Sequence, residues 1–404
     1  MQPQRRARLE LVDALRAFAL FGILQVNIQS FVWGAGDPLG AFAQPPRFVD
    51  SAAYLLVATF VSSKFISLFA LLFGFGFALQ FRAVRRALGS DETGAAALAD
   101  AKRVYRRRLW FLLALGVAHG TLLYFGDILT AYALCGFIVV LYAGVRTGRL
   151  AQAARNWWIT FAVVTFVVIG SWILGRSVFS EGVDPALLPP DTRDTFATYT
   201  SAGYAGQLAQ RAEDYFGVLV GMLFMAVPMV VALFLLGALA ARLGWLSHPE
   251  RHPRVWRAAM RIGAVGLVFA AIGAWLNYRA ALTSPGDPNP TGYLFTLLGA
   301  ITVAMYVALI VRWRESPAVS AAVRWLAPAG RMPLTNYLMQ SVFMGALLSG
   351  WGLGLGASLR HAELAALALA IVVVQVMVSR VWIARFGTGP VEALWRRATY
   401  GGRN

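Results

Sequence analysis

The sequence predicts an all-α fold: a single membrane-embedded domain, a polytopic bundle of about ten transmembrane helices with both termini cytoplasmic. Three observations carry this expectation. Of 404 residues, 58% are hydrophobic and 14% charged, with a mean hydropathy of +0.62. Soluble domains run nearer to about 25% charged, so the chain has too little polar material to coat a water-soluble globule. The apolar residues come in runs of about twenty, the length a helix needs to cross ~30 Å of hydrocarbon. Those runs show no sustained period-2 alternation, which favours helices over barrel strands. The 36 Lys+Arg against 19 Asp+Glu, net +17, sit between the runs, where they set topology rather than bind nucleic acid. One cysteine, Cys135, excludes an intrachain disulfide and a Cys-based zinc site, and no metal is expected. No P-loop, HExxH or GxSxG is present.

In chain order the spans are expected at 11–33, 52–81, 109–125, 128–145, 157–175, 215–241, 259–277, 292–311, 331–351 and 363–383. Arg5, Arg6 and Arg8 before the first resemble a signal-peptide n-region. Asp13 and Arg16 inside the run, with no small-residue cleavage site after it, point to a retained helix. The second run is long enough to tilt or to include an interfacial turn, and the third and fourth form a hairpin. Segment 87–101 reads as a flexible link. The outer loop 176–214, with Pro185, Pro189 and Pro190, reads as a solvated connection with a short interfacial helix, or as a lid over an outer cavity. With the N-terminus inside, the clusters around Arg82, Arg108, Arg146, Arg254, Arg312 and Arg396 all fall inside. That is the Lys/Arg bias the positive-inside rule describes, and Asp37, Asp50, Asp127, Asp191 and Asp214 lean outward. No internal repeat is visible, which weighs against an inverted-repeat transporter.

Ionisable groups at membrane depth cost roughly 2.5–3.5 kcal/mol on insertion scales, so each is a functional candidate. On the first helix Asp13 and Arg16 form an i,i+3 pair. Asn27 points the same way about 16 Å further along, giving one polar stripe. The plainer reading is an ion pair and a helix-joining Asn. Lys64 either snorkels outward or lines a polar cavity. His119 is the one histidine well inside a span, and a neutral imidazole, with a reference pKa of ~6.5, suits a general base. Asp127 orients it if the hairpin bends back, or caps the fourth helix. Along a straight helix Asp127 lies ~12 Å beyond His119. On that geometry His119 faces Asn27, and Asp127 marks the outer mouth of the same cavity. Asn336 and Gln340, following Arg331, share a face at i,i+4, and Gly352-xxx-Gly356 permits helix association.

Four blocks resemble the YeiB-like family, a bacterial membrane family known as domain of unknown function 418. They are Val12-Asp13-Ala14-Leu15-Arg16 through Val26-Asn27; Lys64-Phe65 through Phe73-Gly74; His119 through Gly126-Asp127-Ile128-Leu129; and Gly330-Arg331-Met332 through Asn336-Tyr337-Leu338-Met339-Gln340. The tail Phe386-Gly387 through Glu392 and Trp395 fits as well, while Ala17 stands where the family reads glycine. More distantly, Asp13, Arg16 and Asn27 are similar to the first-helix pattern of the transmembrane acyltransferases, the heparan-α-glucosaminide N-acetyltransferase and acyltransferase-three group. That resemblance implies transfer of an acyl group from cytoplasmic acyl-CoA, acetyl-CoA first, to an outer-face sugar, lipid or amine. It also implies the bacterial cytoplasmic (inner) membrane and a homodimer. Residues 31–38 lack the catalytic histidine that follows the first helix in the N-acetyltransferases, so His119 would replace it. Asp127 would orient His119, and Asn27 would face the thioester oxygen. Asp13, Arg16, Lys64, Arg331, Asn336 and Gln340 would hold the CoA, whose phosphates arginines bind well. Two other readings stand beside it. In a transporter or flippase of a small or lipidic solute, His119, Asp127 and Lys64 would be coupling groups. In a non-catalytic scaffold or sensor they would only join helices.

Overall fold

A computed structural model describes residues 2–34, 46–87, 95–178, 192–283 and 289–400, and every regular element among them is helical. The chain is an all-α polytopic membrane bundle. Seven stretches among the described residues are long and apolar enough to cross a bilayer, with Leu129–Leu141 a shorter apolar helix. The expected calls on Asp37, on 179–191 of the outer loop and on 88–94 of the link fall outside the described residues.

Burial sorts the helices into a centre and a rim. In α1 (Gln2–Trp33) 72% of the most apolar stretch is buried, whereas in α6 (Thr147–Val178) only 17% is. The apolar residues α6 leaves outside, among them Ile159, Val163, Phe166 and Leu174, form a face suited to lipid and not to water.

The single run expected over 52–81 is two helices, α2 (Phe48–Phe60) and α3 (Lys64–Ala87). Between them Ser63 takes φ +66°, the one positive φ outside glycine among the described residues. Serine hydroxyls offer the backbone an alternative to the helix ladder. Here Ser62 Oγ donates to the Val57 carbonyl and Ser63 Oγ to that of Thr296.

Next come α4 (Ala95–Leu122), which absorbs 95–101 from the expected link, and α5 (Leu129–Leu141). α7 (Thr192–Ser201) is the described helix of the outer loop, and α8 (Tyr204–Leu243) runs forty residues to a left-handed Gly244. α8 lies against α3 with backbones nearly touching. A Cβ on Gly74 would sit on the Phe234 carbonyl, and one on Gly237 on that of Leu71.

After α9 (Pro253–Thr283), the expected span 292–311 is again broken, into α10 (Pro290–Leu298) and α11 (Val303–Trp313) around a 3-10 turn. The last helices are α12 (Pro317–Gly330), which no expected span contains, α13 (Pro333–Leu348), α14 (His361–Phe386) and the short α15 (Pro390–Tyr400). Proline at their first turns sets the starts of α10, α12 and α13, where the missing N–H costs nothing. Gly330 lets α12 close on α1, because a Cβ there would meet the Asp13 carbonyl.

Candidate functional site

The site begins where α4 ends. Leu123 and Tyr124 both donate their N–H to the His119 carbonyl at 2.9 Å, so the chain leaves the helix one turn after His119. It then folds back to start α5, and that reversal carries Asp127 over the imidazole. His119 Nδ1 and Asp127 Oδ1 are 2.9 Å apart, and the other carboxylate oxygen accepts the Thr130 N–H at 2.8 Å. One carboxylate thus does both jobs considered for it, capping α5 with one oxygen and meeting His119 with the other.

The opposite ring nitrogen, Nε2, lies 2.8 Å from Ser341 Oγ on α13. A carboxylate only accepts hydrogen bonds, so Nδ1 carries the proton beside Asp127 and Nε2 is left to accept from the serine hydroxyl. The His119 and Asp127 side chains have no solvent exposure, and Ser341 has 2%. Tyr337, one turn before Ser341, holds its ring 5.0 Å from the imidazole and tilted 50° to it, and its hydroxyl accepts the Ile128 N–H at 3.2 Å. Carboxylate, imidazole and hydroxyl in this order form the orienter, base and nucleophile arrangement that recurs on unrelated folds.

On the far side of Tyr337 lies a cavity of about 560 Å³. Its polar lining includes Asp13, Arg16, Arg108, Arg331, Glu392 and Arg396, of which Arg331 and Arg396 are exposed. Its apolar lining includes half-buried Phe69 and buried Leu129, Tyr132 and Tyr337. Both lining carboxylates are already engaged. Asp13 pairs with Arg16 at 2.8 Å, and Glu392 accepts from Leu334 N, Thr335 N and Thr335 Oγ1 at 2.6, 3.1 and 2.6 Å. Arg108 lies 3.5 Å over the Trp395 ring, whose Nε1 donates to the Arg108 carbonyl at 3.0 Å. Arg108 Nε is buried and has no hydrogen-bond partner among the described residues. Four arginines against two engaged acids leave this lining positive, a surface that attracts anions.

Residues 240–402, which contain Tyr337, Ser341 and Glu392, match the family model described as "Protein of unknown function (DUF418)". Over 414 aligned residues the chain is 30% identical to the uncharacterized protein YxaH of Bacillus subtilis (strain 168), covering 97% of this chain and 94% of that one. The chain belongs to the DUF418 family. The uncharacterized YeiB of Escherichia coli (strain K12) is 27% identical, with 96% of this chain and 95% of the relative covered. A 39.9 kDa protein from the amylase 3′ region of Bacillus acidopullulyticus is 24% identical over 97% and 94%.

In this DUF418 chain the sequence-predicted residues divide into three groups. His119 and Asp127 meet, contrary to the expectation of ~12 Å between them along a continuous helix, because α4 stops at Leu122. Asp127 is therefore buried beneath the turn and not at a cavity mouth. His119 does not face Asn27 either, since both its nitrogens are taken up elsewhere. Asn27 is half-buried, and its amide makes no hydrogen bond among the described residues. One turn on, Ser30 reaches the Tyr124 hydroxyl at 2.5 Å. Asp13, Arg16 and Arg331 share the cavity wall.

The remaining three are elsewhere. Asn336 donates to the Ala329 carbonyl and Ser379 Oγ, both at 3.0 Å, and Gln340 donates to Gln375 Oε1 at 3.1 Å. These two join α13 to its neighbours and do not line the cavity. Lys64, expected to snorkel or to line a cavity, is fully buried, donating to the Ala58 carbonyl at 3.2 Å near the end of α2. That is a cation at a helix C-terminus, a favourable placement. Ser341 was not among the expected residues. A serine in an apolar helix reads as helix glue, and nothing local ties it to a histidine 222 positions away.

Proposed function

We propose that this protein is an acyl-CoA-dependent acyltransferase of the bacterial cytoplasmic membrane, with its arginine-lined cavity on the cytoplasmic side and its acceptor arriving from the outer face. One observation carries the reading: an arginine-rich cavity with exposed lining residues is also lined by Tyr337, whose ring lies against a buried His119–Asp127 pair. Its volume lies within the ~300–1,000 Å³ of ligand pockets. CoA presents phosphates at one end and a thioester at the other. Arg16, Arg108, Arg331 and Arg396 would hold the phosphates, with Arg108 Nε supplying a donor that nothing among the described residues uses. The thioester arm would follow Phe69 and Tyr132 toward Tyr337. His119, held in one tautomer by Asp127, would take the proton that acyl transfer releases.

Isothermal titration of the detergent-purified protein with acetyl-CoA tests this. Binding is expected, weakened about tenfold or more in Arg331→Ala/Arg396→Ala, while His119→Gln binds but transfers no radiolabelled acetyl group to a pool of envelope sugars and lipids. Absence of acetyl-CoA binding would sink the reading. Solute flux into proteoliposomes that needs no acyl donor would favour the transporter instead.

A further inference from the structure

A base that works directly on an acceptor needs a free nitrogen, and His119 has none. Nε2, which would have to take the acceptor's proton, is 2.8 Å from Ser341 Oγ, with both groups sealed from solvent. Ser341 also sits at i+4 from Tyr337, which lines the arginine cavity. It therefore projects from the same face of α13, one turn further along. A hydroxyl that donates to a carboxylate-oriented imidazole, next to a residue that lines the donor cavity, has the geometry of an activated nucleophile.

We propose that Ser341 accepts the acyl group, so that transfer proceeds in two steps through an acyl-serine. The proposal rests on the acyl-transfer reading above. In the first step Ser341 Oγ attacks the thioester carbonyl carbon while His119 Nε2 takes the hydroxyl proton. The tetrahedral adduct collapses, the C–S bond breaks, and the departing CoA thiolate receives that proton from the imidazolium. The result is an ester on Ser341, free CoA thiol and neutral His119. In the second step an acceptor amine or hydroxyl attacks the ester carbonyl and gives its proton to His119. The C–O bond to Ser341 breaks, and the proton passes from His119 to Ser341 Oγ. Donor and acceptor then never need to occupy the site together. One side chain receives from the cavity side and releases to the other.

Two reagents test this on the full-length protein in detergent. A biotinylated fluorophosphonate phosphonylates an activated serine with loss of fluoride and needs no knowledge of the donor. Radiolabelled acetyl-CoA, given without acceptor and quenched in acid, reports the acyl-enzyme. Mass spectrometry of the digests locates both labels. Both are expected on Ser341, absent in Ser341→Ala, and slowed by about 10²-fold or more in His119→Gln. Ser341→Cys is expected to take the acetyl group as a thioester cleaved by neutral hydroxylamine, which a serine that merely positions the imidazole would not produce. Neither label at Ser341 in protein with an unaltered elution profile and Tm overturns the proposal. If acetyl transfer to acceptor nevertheless proceeds, the acyltransferase reading survives with donor and acceptor reacting directly. Fluorophosphonate labelling of Ser341 without acetyl labelling keeps the nucleophile and overturns acetyl-CoA as its donor.

Discussion

Asp127 carries more of the site than its single charge implies. Its two oxygens hold the Thr130 N–H that starts α5 and Nδ1 of His119, the nitrogen opposite the one that faces Ser341. Asp127→Asn keeps the shape and one acceptor oxygen, but its amide can offer Nδ1 an N–H. The imidazole then favours the tautomer with its proton on Nε2, where it cannot act as base. The expected outcome is a fall in transfer rate of about 10²–10⁴-fold with little change in Tm, read from radiolabel transfer and detergent melting on the same preparation. Both residues stood out in the sequence because polar groups at membrane depth are costly. Their contact did not, because helix arithmetic assumes that the helix continues. The turn is tightly packed: a Cβ on Gly116 would strike Thr130 and Asp127, so glycine there lets the returning chain lie this close, and one on Gly120 would strike the Tyr215 ring of α8. Ser341 was illegible for another reason: its meaning comes from the partner across the bundle.

At the level of elements, α15 is too short and too charged to be a span, yet it lines the cavity with Glu392, Trp395, Arg396, Thr399 and Tyr400. Its Glu392 closes the start of α13 by accepting the N–H groups of Leu334 and Thr335, satisfying donors that no residue within α13 can reach. Its Trp395 lies under Arg108. Glu392→Ala leaves two N–H groups unpaired, at a cost of about 1–3 kcal/mol for each that stays buried. A lower Tm together with weaker acetyl-CoA binding is the expected result. A lower Tm with unchanged binding would show that α15 stabilises α13 without forming the donor site. The sequence marked Glu392 and Trp395 only as part of a familiar tail. Likewise it showed the apolar run over 52–81 but not the break at Ser63, since hydrophobicity is continuous across it and the hydroxyl partners that divert the backbone include a carbonyl on α10.

The whole molecule is organised around α1, with lipid-facing helices such as α6 and α14 outside. Apolar length and arginine placement made that class of fold readable from the sequence. The number of crossings was harder to read, because α12, α13 and the broken pairs mix short helices with full spans. Orientation can be measured directly, since Cys135 is the sole cysteine and is buried. In a Cys135→Ala background, a cysteine at exposed Ala205 is expected to react with an impermeant maleimide on intact cells. One at exposed Glu250 is expected to react only after lysis. The reverse pattern would place the arginine cavity on the outer side and remove it from cytoplasmic CoA.

On the proposed reading that cavity has an electrical consequence. Water and mobile ions entering among the arginines would carry the potential of one compartment as far as Tyr337 and Tyr132, and the voltage across the bilayer would fall over the thickness sealed behind them. A unit charge crossing the full field is worth about 2.3 kcal/mol per 100 mV. His119 and Asp127 sit just behind that seal. On that same reading, a proton arriving on the imidazole there would cross part of a compressed field, and an energised membrane would become a term in the rate.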